Sequence, residues 1–167
     1  MVELRHVGLY VNNLETMTEF YKHVFNMLIV CENLEQSDAL VKDILKIENS
    51  TIRISKLITE RGKVSGVGDM LELIEVIIPC EDNIKNLRDI VLYRTSTMHI
   101  CFGVNNIEKI IREVIRYGGK ACTDIHIFSN GNKCCFCQDV EGNWIELIER
   151  TYRKNLELGS VHICLIV

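Results

Sequence analysis

Each half of this chain has, at matching places, a histidine that is followed by a pair of glutamates. The segment HVGLYVNNLE begins at His6, and the similar segment HICFGVNNIE begins at His99. The strings LELIE at 71–75 and IELIE at 145–149 follow in the same order. Imidazole nitrogens and carboxylate oxygens are ligands that divalent metal ions accept in proteins. One His and one Glu from each half therefore make a candidate ligand set for one ion.

Packing alone does not explain a duplicated His followed by a duplicated Glu. Packing would favour apolar residues at these points, because a carboxylate among apolar neighbours is costly without a charged partner or a metal ion. Strand parity then limits the candidates, since residues on one face of a strand differ by an even number. Glu72 and Glu75 point to opposite faces, as do Glu146 and Glu149. At most one of each pair reaches a shared cavity, and parity does not choose between them.

The repeat indicates a duplicated supersecondary unit, whose elements must position these side chains. The hydrophobic pattern of the first half predicts a strand over 3–11, a helix from Leu14 to Phe25, a strand over Met27–Glu32, a short helix over Ser37–Leu45, a strand over Thr51–Thr59, a loop over Arg61–Asp69 and a strand over Met70–Ile78. That of the second half predicts a strand over Thr97–Val104, a helix over Ile107–Tyr117 and strands over Lys120–Phe128, Lys133–Val140 and Asn143–Glu149. Asn12-Asn13 and Asn105-Asn106 precede the two main helices and predict their N-caps.

Each half is thus predicted to be βαβββ, and the fold class is α+β with two tandem modules. We expect a first module over 1–79, a connector over 80–95, a second module over 96–150 and a tail over 151–167. The tail contains His162 and is predicted to form an edge or subunit-interface strand. It carries no functional prediction.

Composition excludes several classes of protein. The chain has 167 residues, of which 47% are apolar and 25% charged, and this balance is typical of a soluble globular protein. A net charge of −4 argues against a nucleic-acid binder. No apolar run has the length of a membrane span, and the first residues lack a signal peptide's pattern, so we expect a cytoplasmic protein. The eight cysteines are interpreted as reduced thiols, with a structural zinc at Cys134–Cys137 as the less favoured alternative.

Two motifs together resemble a known family. These are HVGLYVNNLE with Phe20-Tyr21, and DVEGNWIEL at 139–147. Over residues 3–150 the chain is similar to the vicinal-oxygen-chelate superfamily of glyoxalases, epimerases, extradiol dioxygenases and resistance proteins, although Val140 replaces the usual proline. The resemblance implies paired half-barrel sheets, a homodimer and the metal ligands His6, Glu72, His99 and Glu146. It also implies a divalent metal, Zn or Ni, with Fe or Mn as alternatives.

The ligand set of two His and two Glu is most similar to that of glyoxalase I, the lactoylglutathione lyase. The resemblance then implies a lyase or isomerase in which the metal binds vicinal oxygens, Glu146 or Glu72 takes a proton and an enediolate forms. The substrate would be a small thiol adduct or another vicinal-oxygen compound. Alternatives are an acyl-CoA epimerase, an Fe(II) dioxygenase and a non-catalytic ligand-binding protein of the resistance type. The site could lie within one chain or between two.

The basic residues that would hold glutathione carboxylates are not identified by any motif. Arg5, Arg53 and Lys133 are candidates by charge alone. Each is also an ordinary surface residue by its sequence context.

Overall fold

The structure is a computed structural model that describes residues 4–38, 41, 45, 51–66, 68–77 and 98–151. Most of the helix expected over 37–45 lies outside these residues, although residues 41 and 45 are helical. The connector at 80–95 and the tail beyond Thr151 also lie outside them. No helix in the described part of the chain is long and apolar enough to cross a membrane.

The first module is a four-stranded mixed sheet with its helices. Its elements are β1 (Val7–Val11), α1 (Leu14–Val24), β2 (Leu28–Gln36), β3 (Thr51–Ile58), α2 (Glu60–Ser65) and β4 (Met70–Ile77). The strand order is β1-β4-β3-β2. The β1–β4 pair is parallel and the other pairs are antiparallel. This parallel pairing carries the residues that follow His6 alongside Glu72.

The second module repeats this plan. Its elements are β5 (His99–Val104), α3 (Ile107–Arg116), β6 (Lys120–Ala121), β7 (His126–Ile127), β8 (Lys133–Gln138) and β9 (Trp144–Glu149). The strand order is β5-β9-β8-β6, and β7 also pairs with β8. Strand β5 runs parallel to β9, as β1 runs parallel to β4. The predicted α+β class with two related sheets is confirmed.

The two main helices begin at equivalent asparagines. The Asn13 side chain accepts a hydrogen bond from the backbone N–H of Thr16 at 2.8 Å, and Asn106 accepts one from Lys109 at 2.7 Å. Each amide thereby satisfies one backbone donor that the first turn of a helix leaves without an intrahelical partner. The predicted caps are therefore Asn13 and Asn106.

One hydrophobic core joins both modules. Helix α1 buries the side chains of Leu14, Met17, Phe20 and Tyr21 almost completely, and the same cluster includes residues of β4, α3, β8 and β9. Leu71 and Leu73 enter it from β4, just as Ile145 and Leu147 enter it from β9. The helices and one face of each sheet thus form the core. The opposite face of each sheet, called the open face below, carries Glu72 in the first module and Glu146 in the second.

Polar contacts reinforce this junction. The phenol of Tyr21 in α1 donates a buried hydrogen bond of 2.9 Å to Asp139, which belongs to the turn before β9. In the same turn the Glu141 carboxylate accepts from the backbone N–H groups of Asn12 and Asn13 at 2.8 to 3.0 Å. The DVEGN motif therefore binds the second module to the entry of the first module's helix.

Strand β1 begins at Val7, later than predicted, and β2 extends beyond the predicted Glu32 to Gln36. Two other predicted segments differ from the structure in kind. The expected loop at 61–69 contains α2, which the Thr59 side chain caps by accepting from the Gly62 N–H at 3.0 Å. A Cβ at Gly62 would lie within 2.9 Å of Asp69 and Gly68, so this glycine permits close packing inside a helix. The expected strand over 120–128 is divided into β6 and β7. The N–H groups of Cys122 and Thr123 both donate to the Phe136 carbonyl, and this bulge interrupts the ladder.

Candidate metal centre

The first His–Glu pair forms at the N-terminal end of β1. The Nε2 atom of His6 lies 3.1 Å from Oε2 of Glu72, and Nζ of Lys56 lies 2.8 Å from Oε1 of the same carboxylate. Lys56 faces Glu72 directly in the antiparallel β3–β4 ladder. The Glu72 side chain is only 12% exposed, whereas His6 is 42% exposed. A largely buried carboxylate is thus held between an imidazole and an ammonium group.

The second pair forms at the equivalent end of β5 with different neighbours. The Nε2 atom of His99 lies 3.2 Å from Oε2 of Glu146. The Cys134 thiol donates to Oε1 of Glu146 at 3.4 Å, and the Cys101 thiol also hydrogen-bonds this carboxylate. The ring of Phe136 meets the His99 ring edge to face at 5.5 Å. Two thiols and an aromatic ring therefore surround the carboxylate that matches Glu72.

These thiols remain protonated at neutral pH. Burial, followed by the hydrogen bond to Glu146, raises the pKa of Cys101 to about 12. The same two causes raise the pKa of Cys134 to about 11. Each thiol is therefore a neutral hydrogen-bond donor, whereas the strand neighbour of Glu72 is the ammonium group of Lys56.

The second glutamate of each pair lies on the helix side of its sheet. In the first module Arg53 forms ion pairs with Glu75 and with Glu15 in the first turn of α1. Glu72 is therefore the glutamate of this pair that lies on the open face, a choice that strand parity alone could not make. Arg53, a charge-based candidate for binding substrate carboxylates, is engaged in this ion-pair network instead.

The second module repeats this ion-pair network on its own helix side. Lys133 bridges Glu149 and Glu108, with Nζ to carboxylate distances of 3.2 and 2.8 Å. Glu149 also accepts from the N–H of Ile107 at the start of α3, at 2.7 Å. Lys133 is thus removed from the candidates for substrate binding, and Glu146 is the glutamate that faces His99.

The two His–Glu pairs remain separate within one chain. Among the described residues, no group of three or more His, Cys, Asp or Glu side chains is arranged to hold a metal ion. His6 and His99 do line one cleft of about 570 Å³ between the modules. Each pair offers one nitrogen and one oxygen donor, and both imidazoles are accessible. In donor chemistry each pair fits half of a four-ligand divalent-metal site.

Several neighbours of the pairs were not predicted. Lys56 could not be identified because its position opposite Glu72 depends on the register between strands. Cys101 could have been identified by parity, since it lies two residues after His99 and shares its face. The first module has Gly8 in place of Cys101, so the repeat itself gave no signal for a thiol there.

With this geometry in place, comparison with known proteins defines the family. The sequence profile described as the Glyoxalase/Bleomycin resistance protein/Dioxygenase superfamily matches residues 3–147. The chain belongs to this superfamily. A comparison with curated proteins found no match.

Solved structures of the superfamily share the fold at low sequence identity. A glyoxalase family protein from Bacillus cereus superposes with a TM-score of 0.77 and 16% identity, over 89% of this chain and 94% of that one. The fosfomycin resistance protein FosX from Listeria monocytogenes gives a TM-score of 0.57 and 14% identity, over 93% and 99% of the two chains. A family enzyme from Burkholderia phytofirmans gives 0.55 and 13%, over 89% and 98%. At these identities the likeness concerns the fold alone.

Proposed function

We propose that this protein is a divalent-metal-dependent lyase or isomerase of the glyoxalase type. The observation that carries the proposal is the duplicated His–Glu pair on the open faces of both modules. His6, Glu72, His99 and Glu146 would hold the ion, with Zn or Ni preferred and Fe or Mn as alternatives. When bound, the metal supplies Lewis-acid polarisation of two adjacent substrate oxygens.

The two carboxylates have different surroundings, and we assign them different roles. Glu72 is fixed by the ammonium group of Lys56, which favours a binding role. Glu146 is held by His99 and by weak thiol donors, so its carboxylate is the freer of the two to accept a proton. In this function Glu146 accepts the proton from the carbon beside the polarised carbonyl. The polar groups of the open faces orient a small thiol adduct or another compound with vicinal oxygens.

We propose further that two chains share each site in a homodimer. The helices and one face of each sheet form a common core, so the open faces point away from it. The two pairs do not converge among the described residues of one chain. In a symmetric dimer, the first module of one protomer and the second module of its partner would supply two ligands each.

Metal content and proton transfer test the site. We expect the purified protein to bind a divalent metal ion stoichiometrically and to convert the hemithioacetal of methylglyoxal and glutathione to a thioester. Glu146→Gln should lower kcat by at least about 100-fold, in line with loss of a general base. The matched control, Glu113→Gln on the surface of α3, should leave kcat and metal content unchanged. Full turnover by Glu146→Gln would refute the role of this residue.

Subunit complementation tests the shared site. His6→Ala and Glu146→Ala are each expected to be inactive alone. Co-expressed chains should recover roughly a quarter of wild-type activity, because half of the dimers are mixed and each has one intact site of two. If the site lies within one chain, co-expression will recover no activity, and this result would overturn the shared arrangement. The assignment of the four ligands would still be tested separately by the metal content of the protein.

A further inference from the structure

The cleft between the modules has a charge that differs from that of the whole chain. Its walls are the starts of β1 and β4 with the loop around α2 on one side, and β5 with the end of β9 on the other. Three arginines line it, namely Arg5, Arg61 and Arg150, and Asp69 is the only described acidic residue that does so. The protein as a whole has a net charge of −4. The lining therefore has more guanidinium than carboxylate groups, with Glu72 and Glu146 directly behind His6 and His99.

The arginines are placed where a ligand can reach them. The side chains of Arg5, Arg61 and Arg150 are all exposed. The Nε atom of Arg61 lies 3.8 Å from Oδ2 of Asp69, a loose ion pair that leaves the Arg61 side chain 89% exposed. Arg150 directly follows β9 and lines the same cleft as His99 and Cys101.

The rest of the cleft is largely apolar. Met27 and Leu71 are buried beneath it, and Phe102 and Ile148 contribute partly buried side chains. A volume of about 570 Å³ lies in the range of pockets that enclose whole organic ligands. Inorganic phosphate alone would leave the apolar surface uncovered. A ligand with an apolar body and an oxyanion group would satisfy both parts, because guanidinium groups bind carboxylate and phosphate oxygens through paired hydrogen bonds.

We propose that this cleft binds a small organic acid, with its carboxylate or phosphonate on the arginines and its apolar body on β5. The binding itself stands on the residues of the cleft. It goes beyond the proposed function, because the cleft lies within one chain whereas the proposed metal site takes its ligands from two chains.

Calorimetric titration of metal-stripped, full-length protein at low salt tests the proposal. The probes are phenylacetate and phenylphosphonate, with phenylacetamide as the neutral isostere and methylphosphonate as the anion without an apolar body. We expect saturable binding of at least one aromatic acid, with phenylacetamide and methylphosphonate binding at least about tenfold more weakly. The two acids distinguish carboxylate from phosphonate recognition. Affinity should fall as salt is added, because exposed charges are screened.

Variants separate the cleft from the rest of the surface. Arg150→Gln should weaken binding of the acid about tenfold, and Arg150→Lys should recover part of it. Arg116→Gln, the matched change on the surface of α3, should bind as the wild type does. Absence of binding by both acids, equal binding of the amide, equal binding of methylphosphonate or an unaltered Arg150→Gln variant would each overturn the proposal. Because the protein is metal-free, these outcomes are independent of whether it turns over a glyoxalase substrate.

Discussion

The hydrogen bond between Tyr21 and Asp139 should contribute measurably to stability. Tyr21→Phe removes one hydroxyl from a fully buried ring and leaves the packing volume nearly unchanged. The hydroxyl donates at 2.9 Å to a carboxylate that is only 3% exposed. A hydrogen bond to a charged group contributes about 1.5–3 kcal/mol. Asp139 keeps its bonds from Asn143 and from the Glu141 backbone, so we expect the lower half of this range.

Urea denaturation followed by fluorescence of the single tryptophan, Trp144, measures this loss. A decrease of about 1.5–2 kcal/mol corresponds to a melting temperature lower by roughly 3–8 °C for a protein of this size. Tyr10→Phe is the control, because Tyr10 is 55% exposed and its change should stay within about 0.5 kcal/mol. If Tyr21→Phe also stays within that limit, the junction between modules does not depend on this hydrogen bond.

Three further predictions concern the junction between the modules and the second His–Glu pair. Above pH 10 the stability advantage of the wild type over Tyr21→Phe should decrease. Burial raises the pKa of Tyr21 well above its ordinary value, so the phenol ionises in the unfolded chain at a lower pH than in the folded protein. Urea unfolding of both proteins at pH 8 and pH 11 measures this change. Glu141→Gln should lower the free energy of unfolding by about 1 kcal/mol, since one amide oxygen cannot accept all the hydrogen bonds from Asn12 and Asn13. An unchanged urea midpoint would show that these bonds do not stabilise the junction between the modules. Glu146→Gln should increase the rate at which Cys101 is alkylated at pH 8, because loss of the charged hydrogen-bond acceptor lowers the pKa of this thiol. An unchanged rate would show that Cys101 does not contact Glu146.

The sequence predicted those parts of the fold that depend on local pattern. The repeated NN pairs predicted the caps at Asn13 and Asn106, because side-chain capping involves only the next three residues. Helix α2 was missed because its interior Gly62 suggests a loop. In the structure the same glycine is required by the close approach of Asp69 and Gly68. The break between β6 and β7 was missed because the bulge depends on the Phe136 carbonyl of another strand.

The candidate site shows the same division. Spacing within one strand separated Glu72 from Glu75 but could not select either. The family resemblance named Glu72, and the physical reason that supports it is the pairing of Arg53 with Glu75, which requires the register of β3 against β4. The sequence likewise identifies two candidate imidazoles and two candidate carboxylates, but it gives no distance between the two His–Glu pairs.

The paired ion networks on the helix side have a consequence for how this protein can change. Arg53 joins Glu75 of β4 to Glu15 of α1. Lys133 joins Glu149 of β9 to Glu108 of α3 in the same way. On the reverse of those strands the two copies have already diverged, with Lys56 where the other has Phe136. Because side chains alternate between the two faces of a strand, the ion pairs that hold each helix lie on one face and the candidate ligands lie on the other. Residues of the open face can therefore change, and with them the ligand that is bound, without loss of the ion pairs that stabilise the fold.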